Sequence, residues 1–337
     1  MGIDLSVIWF VIIVFATLMY IVMDGFDLGI GILFPFIRDK TSRDVMVNSV
    51  APVWDGNETW LVLGGAALFG AFPLAYAIII DALTLPLSLM LAGLIFRGVA
   101  FEFRFQATPS HRPFWDIAFQ AGSILATFCQ GVVVGAVVSG FKVTGRQFSG
   151  GQLDWLTSFN LFCGLGLVIT YALLGATWLV MKSEDPLQQQ MRVLTSRLLL
   201  ALLVIFAIIS IRTPLEHPQI AERWFSTPNL YYLLPVPICV LLFSGLLWRT
   251  VTRPESSHAL PFICTLGLVF LGFSGLGISI WPNIIPPDIS LWNAAAPLQS
   301  QGFMLVGALF ILPFILMYSF WSYYVFRGKV RHGEGYH

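Results

Sequence analysis

Residues 20–36 read YIVMDGFDLGIGILFPF, and after a short basic connection residues 48–60 read NSVAPVWDGNETW. This stretch sets four carboxylates, Asp24, Asp27, Asp55 and Glu58, within or beside segments apolar enough to be membrane helices. A carboxylate in hydrocarbon is costly, so such residues face protein or a water-filled path and usually carry function. The fold follows from whether the rest of the chain is also built for a membrane.

It is. Of 337 residues, 57% are hydrophobic and only 11% charged, against about 25% charged in a soluble domain. Basic and acidic residues number 18 each, a balance that argues against a nucleic-acid partner. Cys129, Cys163, Cys239 and Cys264 stand singly in apolar runs without CxxC or Cys/His spacing, so they read as small buried residues and no metal site is expected. No basic stretch precedes the first apolar run, which predicts a retained anchor helix rather than a cleaved signal peptide.

A span needs roughly 20 apolar residues. Nine segments qualify, at about 5–36, 49–74, 76–96, 116–140, 156–181, 198–213, 229–248, 260–281 and 301–326, the sixth being the shortest. With an outer N-terminus, the inner connections collect Arg38, Lys40, Arg43, Arg97, Arg104, Arg112, Lys182, Arg192, Arg197, Arg249, Arg253, Arg327, Lys329 and Arg331. Only Lys142, Arg146, Arg212 and Arg223 fall outside. Fourteen against four predicts the N-terminus out and the C-terminus in. Trp155, Trp224, Trp281 and Trp292 then mark the outer interface, and Trp321, Tyr323 and Tyr324 the inner one. Gly25/Gly29 and Gly131/Gly135 form GxxxG pairs that permit close helix contact. The connections 97–115 and 282–300 are the longest, with room for short interfacial helices at most.

Asp24 and Asp27 share one helix face by their i, i+3 spacing, and Asp55 and Glu58 share another. At 1.5 Å per residue, Asp55 lies ~10 Å beyond Asn48 and Asp27 ~16 Å before Arg38. Both pairs therefore fall in the inner half, Asp55 and Glu58 nearer the surface. Such a ladder can pass protons inward. The competing reading is structural: Asp in DGFDLG or DGN caps a local break, or a carboxylate neutralises a membrane arginine such as Arg97. For Asp24 and Asp27 the structural reading leads. For Asp55 and Glu58, flanked by Trp54 and Trp60, the proton-carrying one does. Asp81 and Glu102 are weaker, an ordinary pair with Arg104 sufficing for Glu102. Ser123, Thr127, Gln130, Asn160, Thr170, Tyr171 and Thr177 read as interhelical packing.

All five histidines (His111, His217, His258, His332 and His337) lie in connections or the tail. A bis-histidine haem held by this chain alone is therefore not expected, and Met23 and Met90 read as packing. No P-loop, GxSxG or HExxH pattern appears. The chain alone does not look like a complete enzyme, and no catalytic residue is assigned to it.

The segments DGFDLGIGIL, NSVAPVWDGNETWLVLGGAALFGAFP, FRGVAFEFRF and LWNAAAPLQSQ resemble subunit II of the cytochrome bd quinol oxidases, in the short-looped form of cyanide-insensitive oxidases. The resemblance covers the whole chain, and WDGN with the preceding NS-APV is its most specific piece. It implies an all-α polytopic protein of the bacterial inner (cytoplasmic) membrane, N-terminus periplasmic, with nine transmembrane helices. Two four-helix bundles, 1–140 and 141–281, would be followed by a peripheral ninth helix and tail, 282–337. It implies a complex that oxidises quinol and reduces dioxygen to water. There a partner, subunit I, carries haems b558, b595 and d, and membrane lipid and a small accessory membrane subunit are further candidate partners. Subunit II would support the haem site and supply a cytoplasmic proton path, with Asp55 at its start, Trp54 beside it and Glu58 next; Asp24 and Asp27 are weaker members. A structural quinone is also implied, without residues assigned to it. The alternative is a cation-coupled secondary transporter using Asp24, Asp27 and Asp55, and a third reading is a structural scaffold.

Overall fold

A computed structural model describes residues 4–253 and 257–330; Arg331, His332 and His337 of the expected inner tail lie outside the described residues. The first half runs α1 (Leu5–Leu33), a 3-10 turn Phe34–Phe36, α2 (Lys40–Asn48), α3 (Trp54–Ala71), α4 (Pro73–Gln106) and α5 (Arg112–Ser139). A hairpin of β1 (Val143–Thr144) and β2 (Gln147–Phe148) leads to α6 (Ser158–Lys182), α7 (Leu187–Glu216) and α8 (Pro218–Phe225). Then come α9 (Asn229–Leu233), α10 (Pro235–Thr252) and α11 (Leu260–Ile280). Strands β3 (Asn283–Ile285) and β4 (Ile289–Ser290), α12 (Leu291–Ala294) and α13 (Leu298–Val325) complete the described chain.

The protein is an all-α polytopic membrane protein. Among the described residues, eight helices are long and apolar enough to cross a membrane. The remaining long one, α3, is 18 residues, and its first two turns carry Asp55, Asn57 and Glu58. Several ends differ from the sequence reading for identifiable reasons. The second segment starts late: the connection before it holds a separate α2, capped by Asp39 accepting from Ser42 N at 2.7 Å, and α3 begins only at Trp54. The third does not stop at Phe96 but continues to Gln106, so Arg97 and Arg104 lie inside a helix, not in a connection. The sixth runs 30 residues instead of 16. The 282–300 connection holds a two-stranded hairpin as well as a helical turn.

Within α4, Leu83 leaves helical geometry at φ −121°, ψ 22°, three residues before Pro86. Proline lacks the amide hydrogen and its ring crowds the carbonyl one turn back, which accounts for the break. In the first half α4 packs along α5, and α1 along α3. In the second, α6 packs along α7, and α10 along α11. The halves meet where α1 and α5 lie against α6. Glycine makes that approach possible: a Cβ on Gly29 would strike the Tyr171 carbonyl oxygen, and one on Gly175 would lie 2.6 Å from Gly29 C. Phe26 stacks on Trp178 at 4.1 Å between centroids, with Phe262 edge-on at 5.8 Å. Helix α13 lies on the outside against α3 and α1, its flank mostly exposed.

Candidate functional site

Arg97 projects from α4 with no exposed surface, its guanidinium carbon 5.4 Å from the centroid of the Phe101 ring and 6.0 Å from that of Trp54. Those two rings stack on each other at 5.1 Å. Burying a guanidinium is costly without partners, and three carboxylates supply them. Nη1 reaches Glu58 Oε1 at 2.5 Å, while Nη2 lies 2.9 Å from Asp24 Oδ1 and 3.5 Å from Asp27 Oδ2. Asp24 and Asp27 are fully buried and Glu58 is 27% exposed. Asn57 Nδ2 donates to Asp27 Oδ2 at 2.8 Å and to the Met23 carbonyl at 3.2 Å, and Tyr323 of α13 donates its hydroxyl to Asn57 Oδ1 at 2.8 Å. Residues from α1, α3, α4 and α13 thus meet at one polar centre.

Carboxylates group differently here from the two i, i+3 pairs expected. Asp24, Asp27 and Glu58 converge on Arg97, while Asp55 stands apart, exposed, one turn before Glu58 at the start of α3, with no ion pair among the described residues. Trp54 belongs to the centre through its stacking, not by a hydrogen bond. Asn57 and Tyr323 were not singled out as site members by sequence; Tyr323 reads as an interface aromatic, yet its hydroxyl is spent inside. Glu102 is exposed and Arg104 does not pair with it. Instead Arg104 reaches Asp44 at 2.8 Å and Asp116 at 2.6 Å, with Arg43 on Asp116 and Arg112 on Asp44, tying α2 to α4 and α5. Asp81 is exposed.

Chemically, the centre sets one permanent cation against three carboxylates beneath an exposed fourth. That arrangement can hold and relay protons, while the guanidinium keeps its own charge at any working pH. No cluster of His, Cys, Asp and Glu among the described residues could hold a metal ion. His111 bonds Thr108 and His258 bonds Arg192 in connections, and His217 caps the end of α7. Met23 and Met90 are packed in the apolar interior.

Comparison with known proteins gives a consistent answer. The family model for cytochrome bd terminal oxidase subunit II matches residues 5–326. Cytochrome bd-I ubiquinol oxidase subunit 2 of Escherichia coli K12 is 28% identical across 97% of this chain and 95% of its own length. Cytochrome bd ubiquinol oxidase subunit 2 of Bacillus subtilis is 25% identical, covering 97% of both. Among solved structures, a chain of the bd oxidase from Geobacillus thermodenitrificans superposes with a TM-score of 0.74 over 96% of this chain and 97% of its own, at 17% identity. With a match spanning all but the termini, the chain belongs to the cytochrome bd terminal oxidase subunit II family.

Proposed function

We propose that this chain acts within a quinol:oxygen oxidoreductase as the subunit that holds no haem and passes cytoplasmic protons toward an oxygen-reducing site in its partner. Membership of a quinol oxidase complex follows from the family. The observation that carries the proton reading is the graded burial from exposed Asp55, through half-covered Glu58, to Asp24 and Asp27 on the buried Arg97. Oxygen reduction consumes protons, so an enclosed site needs such a supply. Asp55 takes a proton from solvent and Glu58, one turn inward, receives it. Asp24 and Asp27 hold it beside the guanidinium, which orients them and offsets their charge without itself exchanging protons. A cation-coupled transporter is not favoured, given the family.

The partner would be a bd-type subunit I holding haems b558, b595 and d. Those groups supply electron transfer and oxygen chemistry when bound; this chain's share is positioning and proton supply. We place the protein in the bacterial inner membrane with nine spans, N-terminus periplasmic and C-terminus cytoplasmic. The proposal has support from α3 packing on α1, α4 and α13, and from Arg38, Lys40 and Arg43 standing in the segment that leads into α3. Arg97 drops out of that charge argument because it is buried. Two four-helix bundles, 1–140 and 141–281, fit the helix pairings, with α13 peripheral. A structural quinone and an accessory subunit stay compatible with this arrangement.

Asp55→Asn keeps the shape and removes the titratable proton. In the assembled complex it should lower quinol-driven oxygen consumption by about tenfold with haem content unchanged. Unchanged turnover across pH would remove Asp55 from the route.

A further inference from the structure

The polar centre does not stop at Asp24. Tyr20 stands one helical turn before it on the same face of α1, and Gln130 Nε2 of α5 donates to the Tyr20 hydroxyl at 2.7 Å. One turn earlier on α5 is Thr127. From α6, the Tyr171 ring packs on the same part of α1: a Cβ on Gly25 would lie 3.0 Å from its Cε1. Tyr20, Thr127, Gln130 and Tyr171 are all at least nine-tenths buried.

Many polar atoms here lack a hydrogen-bond partner in the protein. They are Asp27 Oδ1, Arg97 Nε, Thr127 Oγ1, Gln130 Oε1 and the Tyr171 hydroxyl. Arg97 Nη2 lies 2.9 Å from Asp24 Oδ1 and the Tyr20 hydroxyl faces the same carboxylate, so Asp24 has these two as direct neighbours. Isolated orphans of this kind are rare in native proteins because each forfeits its hydration. Their concentration at the meeting of α1, α4, α5 and α6, with donors and acceptors mixed, is the setting in which buried water makes its usual two to four hydrogen bonds.

We infer that a chain of bound water fills the seam between α1, α5 and α6 and joins Asp24 to Tyr20, Gln130, Thr127 and Tyr171. The seam crosses from the first half of the chain to the second, since Tyr171 belongs to α6. The chain extends the surroundings of Asp24 beyond Arg97 and Tyr20, so a proton there exchanges with a hydrated branch rather than with one counter-ion. Hydration of the seam stands independently of whether Asp55 feeds a relay.

The test uses the assembled complex and does not read turnover, so its failure is separable from failure of the relay. A high-resolution cryo-EM map should show on the order of two or three ordered waters between Asp24, Tyr171 and Gln130. Difference infrared spectra in H2O and D2O should show weakly bonded buried-water bands and a carboxyl C=O band that shift in Tyr171→Phe and in Gln130→Leu. A dry seam in a map that resolves waters elsewhere would overturn the inference. So would unchanged spectra in both variants, or a sodium-dependent rise in thermal stability that Gln130→Leu abolishes, because the occupant would then be a cation. If either variant fails to assemble, the wild-type map still decides.

Discussion

Arg97 holds together groups that would otherwise repel. Three carboxylates within reach of one guanidinium are tolerable only while the cation remains, and removing one partner of a buried charge set costs about 3–5 kcal/mol. Arg97→Met should therefore lower the thermal midpoint and the yield of the complex sharply. Arg97→Lys should fall between, since an ammonium is a point charge and cannot span Glu58 on one nitrogen and both aspartates on the other; a thermal melt ranks the three. Hydropathy hides this residue, because it scores an arginine as a cost without knowing what faces it, and so it ends the third span at Phe96. A legible signal exists: Arg97 and Arg104 are seven residues apart in FRGVAFEFRF, two turns along one face of a continuing helix. Helical spacing pairs Asp55 with Glu58, but it cannot say that α3 turns Glu58 toward α4. His258, in the connection before α11, offers a separate test. Burial, with the charges of Lys329 and Arg192, holds it below the ordinary imidazole value, and Arg192 approaches its Nδ1 at 3.1 Å. A base whose folded value is depressed loses stability as pH falls through its unfolded value, about 6.5. The wild-type melting temperature should thus drop from pH 7.5 to 5.5 more steeply than that of His258→Gln.

Elements reach their places through small residues and short polar ties. Gly29 and Gly175 let the backbones of α1 and α6 touch, and both GxxxG pairs noted in sequence, Gly25/Gly29 and Gly131/Gly135, face α6. Gly29→Leu should separate the halves and abolish assembly, seen as loss of the intact complex on size-exclusion chromatography; normal assembly would mean the crossing is not required. Helix α13 is held at its end by Lys182, whose amine donates to the Phe326 and Gly328 carbonyls, while Val330 N donates to the Lys182 carbonyl at 2.9 Å. Eight of the nine apolar segments appear, among the described residues, as helices long and apolar enough to cross a membrane, and the second as the 18-residue α3, because a run of apolar residues at membrane depth has few other ways to satisfy its backbone. Their ends were less legible. Asp39 starts a new helix, Pro86 breaks one, and α4 and α7 run on past the apolar stretch where charged residues find partners. The Tyr323–Asn57 tie that brings α13 to the centre joins residues 266 apart in sequence, a contact no local pattern encodes.

At the scale of the whole molecule, the proposed division of labour puts haem ligation in the partner and proton supply in this chain. The chain expressed without its partner should fold into membranes and bind no haem, checked by its visible spectrum; stoichiometric haem on the isolated chain would refute ligation by the partner. WDGN and DGFDLG made the family readable from the sequence; Asp24, Asp27 and Asn57 of those motifs lie in the centre, while Asp55 stands beside it. What the sequence left hidden is that Glu58 joins the deeper aspartates through Arg97 while Asp55, the most exposed of the four, stands apart. The most direct test of this account is proton uptake by the reduced complex during a single turnover with oxygen, followed with a pH indicator in wild type, Asp55→Asn and Glu58→Gln. The account predicts uptake slowed by about tenfold or more in both variants with haem content and assembly intact. Wild-type uptake kinetics in both would contradict it.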